Sequence, residues 1–209
     1  ALRAQADDSR QHALSQVIAG VDRMTHLVEQ LLTLARVDPA SQGTVSPPID
    51  PTGTVATVCA ELLPLARRRN QNLTVDAAAG CRVAVSAAWL QIALRNLLDN
   101  AMRYAGEGAQ IEVRLTRTPP GCTLSVADDG PGVAPDLRSR LTARFVRGEV
   151  EGEGCGLGLS IVARIAALSH ARLELGDGLP RTTGGHGFGA SLHFDATSQP
   201  EAGRPVPGI

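Results

Sequence analysis

Between Ala87 and Ala127 the spacing of apolar residues changes from threes and fours to twos, and this change most restricts how the chain can fold. Over Ala87–Tyr104, residues Trp89, Leu90, Ala93, Leu94, Leu97, Leu98 and Ala101 form one helical stripe. Over Gln110–Thr116, residues Ile111, Val113 and Leu115 share one face of a strand, and Cys122–Ala127 alternates in the same way after a joint at Pro119-Pro120-Gly121. A striped helix and a one-faced hairpin must each bury their apolar surface on a neighbour. Further helices are expected at Thr54–Arg69, with Pro64 as a candidate kink, and from Gly158 to about Ser169. Short strands are expected at Leu73–Ala77 and Arg82–Val85 around a turn at Gly80, with closing strands at Arg172–Leu175 and Ala190–Phe194. This order predicts an α+β sandwich with helices on one face of a largely antiparallel sheet.

Nearer the start, Leu14, Val17, Ile18, Val21, Met24, Val28, Leu31 and Leu34 mark another amphipathic helix, with Asp22, Arg23, Glu29 and Gln30 between them. Asp7, Asp8 or Ser9 can cap it, and Pro39 ends it. Its stripe needs a second copy or another domain for cover; packing on the chain's own globular part is the alternative. Residues 39–50 are rich in Pro, Gly, Ser and Thr and read as a linker, and residues 195–209 read as a disordered tail. Apolar residues are 43% of the chain, enough for a core, but aromatics are 2%, so that core is built from Leu, Val, Ile and Ala. A net charge of −1 gives nucleic-acid binding no support. No apolar run reaches the ~18 residues of a membrane span. Cys59, Cys81, Cys122 and Cys155 show no metal-binding spacing, which points to free thiols in a reducing compartment. Neither a phosphate-binding G-x-x-x-x-G-K-[ST] loop nor a strand–GxGxxG–helix unit is present.

Three segments carry candidate chemistry. In Asn96-Leu97-Leu98-Asp99-Asn100-Ala101-Met102-Arg103-Tyr104, the residues Asn96, Asn100 and Arg103 share one helix face. A carboxamide oxygen can ligate Mg²⁺ that already carries phosphate, and an arginine one turn on can pair with phosphate. An ordinary helix surface with two exposed asparagines reads equally well. Asp128-Asp129-Gly130-Pro131-Gly132 follows a strand; its glycines let backbone approach a flat ligand, and a buried carboxylate can accept from an exocyclic amine. A plain strand-to-loop turn has the same composition. Gly152-Glu153-Gly154-Cys155-Gly156-Leu157-Gly158-Leu159-Ser160 feeds a helix N-terminus, whose free N–H groups suit an anion; a surface loop is the alternative.

In this order the three segments resemble the N, G1 and G2 boxes of two-component sensor histidine kinases, within the GHKL ATP-binding superfamily, with the QseC/PmrB-like branch nearest. Arg144-Phe145-Val146-Arg147 resembles the F box, Gly184 to Phe194 the closing glycine turn and strand, and Leu31-Leu32-Thr33-Leu34-Ala35-Arg36-Val37-Asp38 the end of the second helix of the dimerisation and phosphotransfer hairpin. The resemblance implies a partial hairpin over residues 1–38, the linker, and an α/β sandwich of the GHKL or Bergerat ATP-binding fold over residues 51–194. It implies ATP and Mg²⁺ as ligands. Asn100 would hold the metal, with Asn96 beside it. Arg103 would contact phosphate, Tyr104 would pack near the base, and Asp128 would bind the adenine amine in a pocket shaped by Gly130 and Gly132. Phe145 and Arg147 would order a lid that closes through Gly154, Gly156, Leu157 and Gly158, with Arg147 reaching phosphate. Gyrase-like and Hsp90-like ATPases place a water-activating glutamate where Asn96 stands, so the pattern here suits phosphoryl transfer to a protein nucleophile better than hydrolysis.

The match departs from the family in a missing phosphoacceptor motif, a short hairpin and a compact lid, Gly148 to Gly154. No H-[ED]-x-[RK]-[ST]-P motif is present, and His12 and His26 read as helix-surface residues. The phosphoacceptor is therefore expected upstream of Ala1, and by comparison with the family the hairpin is short by roughly eight residues, two turns of an α-helix, between Gln5 and Asp8. The expected setting is a cytoplasmic fragment that makes no membrane contact, from a protein of the bacterial inner membrane. The expected partners are a second copy through the hairpin and a response regulator. Two other readings stand beside it: a GHKL serine kinase or ATPase, and a non-catalytic nucleotide-binding dimerisation module.

Overall fold

The computed structural model describes residues 47–138, 140–142 and 157–195. The expected hairpin over residues 1–38, the greater part of the expected linker and tail, and Phe145, Arg147, Gly154, Cys155 and Gly156 lie outside the described residues. Three helices, α1 (Thr52–Arg68), α2 (Ala87–Tyr104) and α4 (Gly158–Leu168), accompany a five-stranded sheet and a short α3 (Pro135–Arg138). The strands are β1 (Asn72–Ala77), β2 (Gln110–Thr118), β3 (Gly121–Asp128), β4 (Arg172–Pro180) and β5 (His186–Phe194), in spatial order β1-β2-β3-β5-β4. Only β1 and β2 run parallel; the other pairs are antiparallel, as the hairpin signal requires.

Alternation sets the layers. Ile111, Val113 and Leu115 of β2, Cys122, Leu124 and Val126 of β3, and Ala190, Leu192 and Phe194 of β5 all point into the core. The α2 stripe meets them: Leu90, Ala93, Leu94, Leu97, Leu98, Ala101 and Met102 are buried. Ile161, Val162 and Ile165 of α4 and Val55, Val58 and Leu62 of α1 complete the helical layer. Ser86 starts α2 by accepting the Trp89 N–H at 3.2 Å, as an N-cap serine does. Helix α1 runs through Pro64 without interruption. It ends in a left-handed residue, Asn70, with φ of 55°. The Asn70 N–H reaches the Arg67 carbonyl at 3.0 Å and the Gln71 N–H reaches the Ala66 carbonyl at 2.9 Å, the paired bonds of a Schellman turn.

Two expectations need correction. Arg82–Val85 is not a strand. Only Val83 pairs, in a single antiparallel bridge to Ile49, while Cys81, Val83 and Val85 plug the core as a loop. The Ile49 and Val83 backbones exchange two hydrogen bonds of 3.0 Å, and Arg82 donates to the Pro48 carbonyl at 2.7 Å. Strands β4 and β5 extend well beyond Arg172–Leu175 and Ala190–Phe194: Gly176 pairs with Gly189, Gly178 falls in a register shift between Asp177 and Pro180, and glycine shows no alternation.

Cys59, Cys81 and Cys122 are free and buried. Burial pushes the Cys59 thiol up to about 11. Burial, with a contact to Cys122, pushes Cys81 up to about 12. Thiolate is the reactive form, so these two should resist iodoacetamide in the native chain and label once it is denatured, as intact-mass measurement will read. Leu124 is fully buried at the centre of the sheet. Leu124→Ala should cost ~2–5 kcal/mol in urea unfolding, with an unchanged slope.

Candidate functional site

Burial of the α2 stripe turns Asn96 and Asn100 toward the start of α4. The Asn96 amide donates to the Ile92 carbonyl at 2.8 Å, which aims its oxygen the other way. A β-carbon built on Gly158 would lie 3.3 Å from Asn96 Oδ1 and 3.6 Å from Asn100 Oδ1. Two carboxamide oxygens therefore converge on the first residue of α4, and glycine there keeps the space between them open. That helix end has no side-chain cap. Ile161 N–H bonds the Leu157 carbonyl at 3.0 Å, so the N–H groups of the preceding first turn have no acceptor within the helix. Neutral oxygens beside a positive helix end can take a cation together with the anion that carries it.

Asp128 forms the second part of the site. It ends β3 with 4% of its surface exposed. Its Oδ1 accepts the Gly130 N–H at 2.9 Å and the Phe188 N–H at 3.2 Å. These bonds engage Oδ1 and fix the carboxyl plane. Burial raises its pKa above the ordinary 3.8, the two N–H bonds oppose the rise, and the neighbouring Asp129 charge adds to it. Asp129 turns away and accepts the Gln110 N–H at 2.8 Å.

Around Asp128 the backbones crowd. A β-carbon on Gly130 would sit 2.5 Å from Ala105 Cα, and one on Gly187 would sit 2.0 Å from the Asp128 carbonyl oxygen. A β-carbon on Gly178 would sit 2.4 Å from that same carbonyl oxygen, and one on Gly132, at φ +73°, 2.6 Å from the His186 carbonyl oxygen. The Asp128–Gly132 segment is thus clamped between the end of α2 and the β4–β5 hairpin. Arg138 of α3 ties its far side, donating to the Val133 carbonyl at 2.9 Å and to Asp177 at 2.5 Å.

Of the residues singled out in the sequence, Asn96, Asn100 and Gly158 come together at one point, and Asp128, Gly130 and Gly132 at another. Arg103 and Tyr104 lie on the last turn of α2, half-buried. Leu157 differs from the rest: the residue is 1% exposed, and its side chain is buried. Sequence reasoning missed Gly178, Gly187, Gly189 and Arg138. The Gly-x-Gly spacing at 176/178 and 187/189 was the available signal, since glycine inside a strand marks a close backbone approach. Among the described residues no group of three or more His, Cys, Asp or Glu could hold a metal.

The family model described as histidine kinase-, DNA gyrase B-, and HSP90-like ATPase matches residues 86–198. Sensor protein kinase PmrB of Pseudomonas aeruginosa is 33% identical over 98% of this chain and 42% of its own length. Sensor protein QseC of Escherichia coli is 36% identical over 81% of this chain and 37% of its own. The chain therefore spans less than half the length of these curated relatives. The solved structure of full-length ShkA in complex with AMPPNP is 28% identical, with a TM-score of 0.67, and covers 86% of this chain and 37% of that one.

The raised pKa of Asp128 carries a sign. Between 3.8 and its raised value, the folded chain keeps a proton that the unfolded chain gives up. That contribution to stability is present at low pH and lost as pH rises through the raised value. Asp128→Asn cannot ionise, so its unfolding midpoint should gain on the wild type as pH climbs from acid to neutral. Gly187→Ala should cost ~2–4 kcal/mol by denaturant melting at any pH, because two backbones must part.

Proposed function

Because this chain belongs to the histidine kinase-, DNA gyrase B-, and HSP90-like ATPase family, we propose that it is the nucleotide-binding catalytic part of a sensor histidine kinase. In this reading it binds ATP with Mg²⁺ and donates the γ-phosphoryl to a histidine for relay to a response-regulator aspartate. The single observation that carries the reading is the convergence of Asn96 and Asn100 oxygens on Gly158, at the uncapped start of α4.

The residues fit these ligands. Asn100, with Asn96 beside it, would hold Mg²⁺, which when bound would neutralise charge on the phosphates. The first turn of α4 and Arg103 would face those phosphates, with Arg147 of the lid as a further contact. Asp128 Oδ2 would accept from the adenine amine, over a floor kept thin by Gly130 and Gly132, beside Tyr104. Phe145, Gly154 and Gly156 would belong to the lid, and Leu157 would contribute its backbone. No carboxylate stands at Asn96 to take a proton from water. In this reading the site suits phosphoryl transfer to an incoming nucleophile better than hydrolysis.

The same reading assigns residues 1–38 to a partial dimerisation hairpin, residues 39–50 to a linker and residues 51–194 to the catalytic domain. A second copy and a response regulator are the proposed partners. No described helix is long and apolar enough to cross a membrane; the whole protein is proposed to sit in the bacterial inner membrane with this part in the cytoplasm. The relatives named as sensor kinases favour this over a serine kinase or a non-catalytic module.

Titration with a fluorescent ATP analogue tests the site. Binding should require Mg²⁺ in the wild type. Asn100→Ala should weaken metal-supported binding at least ~10-fold, the loss of one charge-assisted contact. Asp128→Ala should reduce the preference for adenine over guanine. Wild-type affinity in both variants would sink the assignment.

A further inference from the structure

Helix α2 ends where the pocket begins. Its last turn leaves carbonyls without N–H partners inside the helix, and side chains from outside take them. Gln71 Nε2 donates to the Met102 carbonyl at 2.8 Å and to the Gly106 carbonyl at 2.7 Å. Arg69 donates to the same Met102 carbonyl at 3.0 Å. Neither residue lies in the segments from which the nucleotide site was read.

Gln71 is 5% exposed, and its Oε1 is buried with no hydrogen-bond partner among the described residues. An orphaned carboxamide oxygen is a desolvation cost that methionine or leucine would avoid. What the amide supplies, and an apolar chain cannot, is one donor group shared between two carbonyls. The Schellman turn at Asn70 aims it there, and Asn70 itself reaches Glu107 at 2.6 Å beyond the end of α2. Between the two clasped carbonyls lie Arg103, Tyr104 and Ala105. Ala105 is the wall that Gly130 touches: a β-carbon on Gly130 would be 2.5 Å from Ala105 Cα and 3.1 Å from its carbonyl oxygen.

We propose that Gln71, seconded by Arg69, is a positioning residue for the nucleotide site: it clasps the end of α2 so that Ala105 stays seated on Gly130 and Asp128 is held at a fixed depth beneath the base. The inference rests on the nucleotide reading above and adds to it a determinant of base selectivity that touches no ligand.

The test uses the whole chain with Gln71→Met, which keeps the volume and removes the donor. Val85→Ala is the control. It opens a core cavity just before the start of α2, an 18-residue helix, and so ~27 Å from its end at 1.5 Å per residue. Three readings are taken: the thermal midpoint, the affinities for fluorescent ATP and GTP analogues, and hydrogen exchange at residues 103–106 without nucleotide. Gln71→Met should lose ~10-fold in ATP affinity, narrow the ATP-over-GTP preference and speed exchange at 103–106. Val85→Ala should lower the midpoint and do none of these. Wild-type selectivity and exchange in Gln71→Met would overturn the proposal, as would the same losses in Val85→Ala. If the wild type binds neither analogue, the nucleotide reading falls, and exchange at 103–106 still decides whether Gln71 holds the turn.

Discussion

One apolar stripe orients everything else. Leu90, Leu94, Leu97, Leu98 and Met102 are at most 2% exposed. Burial of each such side chain is worth ~1.5–3 kcal/mol. Rotation of α2 about its axis would have to break all of them. The direction in which Asn96 and Asn100 point is therefore decided by hydrocarbon on the opposite side of the helix, since no single polar bond could hold it as firmly. The Ile92 carbonyl then needs only to choose which end of the Asn96 amide faces α4.

The other half of the site is arranged by close approach of backbones. Asp128 is buried at the end of a central strand, where an ionised carboxyl is unwelcome, and it is kept there by two N–H donors. Those donors are in range only because the chain on either side lacks β-carbons. Gly178 and Gly187 bring β4 and β5 against the Asp128 carbonyl, and Gly130 brings the loop against Ala105. The recognition group and the glycines that surround it are one device: side chains at those positions would push the donors away and leave the carboxyl uncompensated.

The helix Ala87–Tyr104 was legible to the residue, and β2 and β3 to within two, because their stripes are long. The α+β layering followed from the change of period alone. Arg82–Val85 misled because alternation in so short a stretch is also what a loop shows when it drops every second residue into a core. The lengths of β4 and β5 were hidden by glycine, which carries no side chain with which to alternate. Asn96, Asn100 and Asp128 could be picked out because their chemistry is unusual where it stands. Gln71 could not, since a glutamine between two asparagines looks like surface, and only the turn at Asn70 drives it inward. The glycine run pointed to the start of α4 but gave no hint that Leu157 would be buried.

The bridge between Ile49 and Val83 gives the domain a particular handle. Ahead of α1 the chain is pinned at Ile49 by that bridge, with Arg82 reaching back to Pro48. Val83 lies three residues from Ser86, which opens α2. A pull or twist on the entering chain thus arrives at the root of the helix that bears Asn96 and Asn100, by a route that bypasses the whole of α1. Along the sequence the entry and the site are some fifty residues apart; mechanically they are joined by one short lever.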